Sequence, residues 1–306
     1  MSDLKVLATG LMFPEGPIWQ DDGSVLLVEI ERETLTRVTP NGKVEVVAKL
    51  PGGPNGAAMG PDGAVYVCNN GGFLFNKVSG LNRTRPGVKD GYTGGWIERV
   101  NLSTGKSERV YENCDGQNFL GPNDIQFDHQ GGFYFTDFGK SYPRHRDLGG
   151  VFYGRADGSK VVAITPPMVA PNGVGISPDD KVVYAAETET GRLWAFDMEA
   201  PGKVNKKPFP SPHGGRLVIG LGGFQRFDSM AIEANGNICV ATLMAGCISV
   251  IAPDGTLVEQ PKMPDPITTN ICFGGKDMKT AYITLSGTGQ LVTMPWARPG
   301  LRLPYN

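Results

Sequence analysis

Short runs of alternating apolar and polar residues recur along this chain between glycine- and proline-rich turns, and no stretch keeps the 3.6-residue period of a long amphipathic helix. One unit repeats six times: a polar entry, an apolar run, a turn and a second apolar run. The copies open at Pro14-Glu15-Gly16, Pro54-Asn55-Gly56, Pro122-Asn123-Asp124, Pro171-Asn172-Gly173, Phe227-Asp228-Ser229 and Thr268-Thr269-Asn270. Turns such as Asp21-Asp22-Gly23, Pro61-Asp62-Gly63 and Ala234-Asn235-Gly236 follow, and then strand-like runs at 25–29, 64–68, 132–136, 182–186, 238–242 and 281–284. Most units add a third strand, as at 34–39, 95–100, 191–197 and 247–251, and a turn into a fourth. Six units of four strands predict an all-β six-bladed propeller.

A four-stranded blade needs about 40–45 residues. Two of the intervals between units match this, and the three longer ones place insertions at 71–94, 139–149 and 201–223. The insertions interrupt blades and do not join domains, so residues 1–306 are expected to form a single propeller domain. The opening strand at 4–9 is expected to pair with the last blade and close the ring, removing free sheet edges.

Strand side chains alternate faces. In five units the residues two and four after the polar entry are both apolar (Pro17/Trp19, Ala57/Met59, Ile125/Phe127, Val174/Ile176, Met230/Ile232), and Ile271/Phe273 set the same phase in the sixth. The equivalent positions are then Glu15, Asn55, Asn123, Asn172, Asp228 and Thr269, six side chains converging on one mouth of the central channel. Two carboxylates among three carboxamides would repel one another without a counter-ion. Their oxygens suit a hard cation such as Ca²⁺ or Mg²⁺. With no imidazole in the ring, a histidine-rich zinc site is not indicated.

Composition narrows the partners. A formal net charge of −2 gives no global electrostatic case for nucleic acid, and no run approaches the ~20 apolar residues of a membrane helix. The N-terminus lacks a signal-peptide apolar block. The five cysteines are odd in number and form no C-x-x-C pair; Cys68, Cys239 and Cys272 sit in apolar runs as core residues, and a cytoplasmic location is expected. Of three histidines, His129 and His145 fall in turns or loops, while His213 lies in an insertion with the reach to cover the channel. Arg83, Arg85 and Lys89 read as a solvated basic face.

The segments Glu15–Trp19, Pro171-Asn172-Gly173, that around Asp228, and Cys272-Phe273-Gly274-Gly275-Lys276 leading into Ala281-Tyr282-Ile283-Thr284 resemble the senescence marker protein/gluconolactonase/luciferin-regenerating enzyme family over nearly the whole chain. The resemblance implies a six-bladed propeller whose metal is held by Glu15, Asn123, Asn172 and Asp228. It also implies hydrolysis of a small lactone to its hydroxy acid, with Ca²⁺ the favoured metal and Mg²⁺, Mn²⁺ or Zn²⁺ as alternatives. In that chemistry the metal polarises the carbonyl and Asp228 activates water as general base; direct nucleophilic attack by Asp228 stays open. The alternatives are a phosphotriester hydrolase on the same site, by similarity to related organophosphate-hydrolysing propellers, and a non-catalytic calcium-binding interaction propeller.

One position departs from the family pattern. Sugar-lactone hydrolases of the family often carry an Arg two residues before the first Asn ligand, and here that residue is Gly121. The 71–94 insertion brings Phe73, Leu74, Phe75 and Tyr92 instead, which suggests a lid favouring smaller or less polar lactones. Asn55, Asn270, Phe73 and Tyr92 are the expected substrate contacts.

Overall fold

The computed structural model describes residues 3–306 and is built from strands, with no helix among them. Six antiparallel sheets form the ring of a six-bladed propeller. The first blade runs from Pro14–Trp19 on the axis through Val25–Glu29 and Thr34–Val38 to Val44–Lys49 at the rim. The other axial strands are Pro54–Met59, Pro122–Phe127, Pro171–Ile176, Arg226–Ile232 and Thr268–Gly274. The sixth blade is completed by Lys5–Ala8, which pairs antiparallel with Gln290–Pro295, so the chain's first strand closes its last sheet as expected.

Axial and second strands are buried on both faces, packed within their own sheet and against neighbouring blades. Their side chains form one apolar cluster between each pair of blades, for example Ile18, Val28, Met59 and Val67 between the first and second. This explains why the second strands read as continuous Val/Leu/Ile/Cys runs, while rim strands such as Leu257–Glu259 are exposed. All five cysteines are free thiols.

The insertions fall where the spacing puts them. Between the second and third strands of the second blade a hairpin, Leu74–Val78 with Leu81–Arg85, turns at Ser79-Gly80, both in the left-handed region that a two-residue hairpin loop requires. A further small hairpin, Asn113–Cys114 with Gln117–Asn118, turns on Asp115-Gly116, both at positive φ. His213 does not reach the channel. It is buried in the 201–223 insertion against Trp194 and Phe196, with ring centroids 4.4 and 5.5 Å away. No helix among the described residues is long and apolar enough to cross a membrane.

Candidate active site

All six axial strands carry a β-bulge at the polar entry position. The pairing with the second strand slips by one residue between Glu15 and Ile18, Pro54 and Ala57, Pro122 and Ile125, Pro171 and Val174, Phe227 and Met230, and Thr268 and Asn270. A bulge bends the strand and re-aims a side chain. Here it turns Glu15, Asn55, Asn123, Asn172, Asp228 and Thr269 into one cavity of about 340 Å³ at the channel mouth. The next residue is squeezed against the neighbouring blade. A Cβ at Gly56 would lie 2.4 Å from the Asn123 carbonyl oxygen, and one at Gly173 would lie 2.5 Å from that of Asp228. The Asn-Gly pairs are therefore packing requirements as well as turn residues.

Where that next residue is not glycine it forms a second tier under the ring. Asn270 donates from Nδ2 to Glu15 at 2.8 Å, and the Ser229 hydroxyl donates to Asn172 Oδ1 at 3.4 Å, each across a blade boundary. Asp124 accepts from the Val174 amide at 3.1 Å. Asn270 thus lies beneath the ring as a support for Glu15, on the channel side away from the mouth cavity, and not at the mouth as expected of a substrate contact. Asp124 and Ser229 were not singled out in the sequence. The signal was the series Gly16, Gly56, Asp124, Gly173, Ser229, Asn270, one position after the ring.

The ring and the tier beneath it are a desolvated cluster of carboxyl groups. Burial pushes the Glu15 carboxyl up to about 7 despite hydrogen bonds from Asn270 and the Gly16 amide. Burial, and then the charge of Glu15, hold Asp228 well above the usual carboxylate range. The same two causes push Asp124 up to about 8, with the Val174 amide opposing. Asn172 donates to the Thr188 hydroxyl at 3.1 Å, which fixes its amide. Asn123 Oδ1 is buried and accepts no hydrogen bond. Buried acceptors without donors are rare in folded proteins. An orphaned amide oxygen beside two desolvated carboxyls fits a hard, oxygen-preferring cation. Among the described residues no three His, Cys, Asp or Glu gather in ligating geometry, and the ring's oxygens come from carboxamides as well as carboxyls.

The two ends of the channel differ. At the far end the C-terminal segment crosses the axis: the Leu301 amide donates to the Ile232 carbonyl at 2.8 Å, and Tyr305 packs edge-on to Phe127. Only a space of about 70 Å³ remains there. Over the mouth lies the inserted hairpin. The Asn82 amide donates to Gly287 O in the sixth blade, Phe75 packs on Phe13 of the first at 5.2 Å, and the Gly87 amide donates to Ser141 O beside the third. Phe73, Arg83, Thr84 and Arg85 form the cavity's roof.

Lys140 anchors this roof. Fully buried, it donates to Gly72 O at 2.9 Å and to Asn70 Oδ1 at 3.3 Å, and lies 4.3 Å over the Phe73 ring. Burial pulls it down to about 7, with Asp137 opposing. Tyr92, expected as a substrate contact, sits in the anchor and does not line the cavity: its ring faces Lys140 and its hydroxyl donates to Leu120 O. Phe73 and Asn55 do line the cavity. The basic run is split: Lys89 pairs with Glu33 at the blade's flank, whereas Arg83 and Arg85 line the cavity. Gly121 is held by a hydrogen bond from its amide to Asp137 at 2.6 Å, and a Cβ there would meet Gly139 O at 2.8 Å.

A propeller with a ring of carboxyl and carboxamide oxygens at one mouth of its axis, and the other mouth narrowed by its C-terminal segment, defines an axial-site propeller. Residues 13–287 match the model of the SMP-30/Gluconolactonase/LRE-like region, and the chain belongs to that family. It is 26% identical to a gluconolactonase of Zymomonas mobilis, with 92% of this chain and 79% of that protein aligned. It is 29% identical to the lactonase drp35 of Staphylococcus epidermidis, covering 94% and 79%. Its fold is similar to that of a calcium-binding protein, regucalcin, from Agrobacterium tumefaciens (TM-score 0.75, 18% identity, 98% and 96% of the two chains).

Proposed function

We propose that this protein is a metal-dependent lactonase that opens a small cyclic ester to its hydroxy acid. The observation that carries the reading is the orphaned Asn123 Oδ1 beside the desolvated Glu15 and Asp228 carboxyls, at the floor of a cavity large enough for a small substrate. The gluconolactonase and lactonase relatives support the reaction class.

Glu15, Asn123, Asn172 and Asp228 would hold the ion, with Ca²⁺ favoured by the all-oxygen donor set. Bound there, such a cation supplies Lewis-acid polarisation of the ester carbonyl and charge stabilisation for the oxyanion. Asp228 is the general base. Its carboxylate is fixed by the Ser229 amide, which donates to Oδ1 at 3.1 Å, and it takes the proton of the attacking water. It returns that proton to the ring oxygen as the acyl C–O bond breaks. Asn270 and the Gly16 amide keep Glu15 in place, and the roof limits water around the reacting ester.

The test is turnover of a lactone panel by chelator-stripped protein with Ca²⁺, Mg²⁺, Mn²⁺ or Zn²⁺ restored, and Asp228→Ala alongside. Metal-restored turnover that the variant loses supports the reading. Comparable rates on phosphotriesters would reassign the substrate class, and metal binding without turnover would leave a non-catalytic calcium-binding propeller. In ¹⁸O-water, single-turnover label entering Asp228 would replace the general base with a nucleophile.

A further inference from the structure

The roof carries a charge that the floor does not require. Arg83 and Arg85 are two residues apart on the strand Leu81–Arg85, so their side chains leave the same face of the hairpin, and both line the cavity. The other guanidiniums at the rim are engaged: Arg226 and Arg146 both pair with Glu189. Arg83 and Arg85 have no ion-pair partner among the described residues, and both are exposed. If the two floor carboxylates hold a divalent cation, their charges are balanced, and the two roof arginines are left as net positive charge over the substrate space. Gly121 cannot serve as the point of attachment for a polar handle, since its Cβ position is blocked by Gly139.

We propose that the lactone bound here itself carries a carboxylate, and that Arg83 and Arg85 hold it while the ester carbonyl faces the ring. This rests on the lactonase reading and adds the substrate class. A guanidinium offers a planar pair of donors matched to a carboxylate, and two of them on one strand can take one oxygen each or share the pair. A roof that binds the remote carboxylate fixes which face of the lactone meets Asp228, so the charge contributes orientation as well as affinity. The reaction remains balanced: water adds to the acyl carbon, the ring C–O bond breaks, and the product is a hydroxy acid bearing two carboxylates.

The experiment has a binding arm and a turnover arm, both on Ca²⁺-loaded full-length protein. By calorimetry, tetrahydrofuran-2-carboxylate, which cannot be hydrolysed, is compared with its carboxamide. By steady-state kinetics, a γ-lactone bearing a ring carboxylate is compared with its methylamide. Charge-assisted hydrogen bonds of this kind lead us to expect a carboxylate preference of roughly 10- to 100-fold in both arms. Arg83→Gln/Arg85→Gln should reduce the preference to near unity, chiefly through Kd and KM, and Arg83→Lys/Arg85→Lys should retain part of it. Near-UV circular dichroism checks that the roof stays in place in each variant.

A wild-type preference near unity, or one that survives the double Gln variant, overturns the proposal, the second outcome assigning the carboxylate to the metal ring. A phosphorylated lactone preferred over the carboxylated one also overturns it. Turnover of the methylamide without carboxylate preference leaves the lactonase reading standing alone. Arginine-dependent carboxylate binding without turnover of either lactone removes the lactonase reading and keeps the anion site.

Discussion

The floor and the roof of the cavity are built in opposite ways. Every floor residue sits at the same bulged position of an axial strand, and the next tier repeats that logic one residue on. Each floor side chain is set by local strand geometry and by close contact with the adjoining blade. The roof has no repeat behind it. It is a single hairpin, fastened to the first, third and sixth blades by Phe75, Gly87 and Asn82 and seated on Lys140. On the proposed reading, the difference teaches that reaction chemistry and substrate choice are carried by separate parts. The floor is shared with the architecture of the whole ring, while the roof can be exchanged without touching it.

The largest effect is expected at the floor. Asp228→Ala should lower kcat/KM by ~10²–10⁴-fold, the usual size of a general-base contribution. At pH 8 the same change should raise the melting temperature of metal-free protein, because it removes a buried, repelling carboxyl. A variant that loses activity by unfolding would break the comparison.

Metal removal should give a pH-dependent loss of stability. Glu15 and Asp124 have folded-state values raised from 4.5 to about 7 and from 3.8 to about 8, so their contribution is fully present below their ordinary values and is lost as pH rises through the raised ones. The melting temperature of metal-free protein should therefore fall between about pH 5 and pH 8. The Ca²⁺-induced increase should grow over the same range, as calorimetric scans at fixed ionic strength would show. A Ca²⁺ effect independent of pH would mean that the ion does not act on the charge of these carboxyls.

Gly121→Arg tests the boundary between the two regions. Its Cβ would be forced to 2.8 Å from Gly139 O, so the substitution should destabilise by ~1–3 kcal/mol in denaturant titration and should not improve sugar-lactone turnover. The smallest effect belongs to the roof anchor. Lys140→Met keeps the volume but deletes the hydrogen bond to Gly72 O, and should raise KM a few-fold with kcat nearly unchanged. A comparable loss in kcat would show that floor and roof are coupled.

What was legible in the sequence follows the same division. The blades, the closing strand and the six ring positions could be read because strand alternation and turn residues repeat, and a local rule seen six times is reliable. The bulges could not, since each falls at the polar start of its strand, before the apolar alternation in which a change of phase would show. Asn270 was expected at the mouth beside Thr269; the structure puts it one tier down, against Glu15. Tyr92, Arg83 and Arg85 belong to an insertion whose path is set by contacts far away in sequence, so composition alone could not separate the anchoring aromatic from the arginines that line the cavity. His213 shows the same limit in the other direction, ending between Trp194 and Phe196.

The C-terminal segment across the far end of the channel has a kinetic consequence. With Leu301 tied to Ile232 and Tyr305 packed on Phe127, the far end is narrowed to a space of about 70 Å³, which leaves the roofed mouth as the wide way in and out. The ring-opened acid must back out by the path its precursor used, and the two compete for the same passage. Enzyme of this shape should show product inhibition that is competitive in form, and its turnover at high conversion should be governed by how quickly the doorway clears.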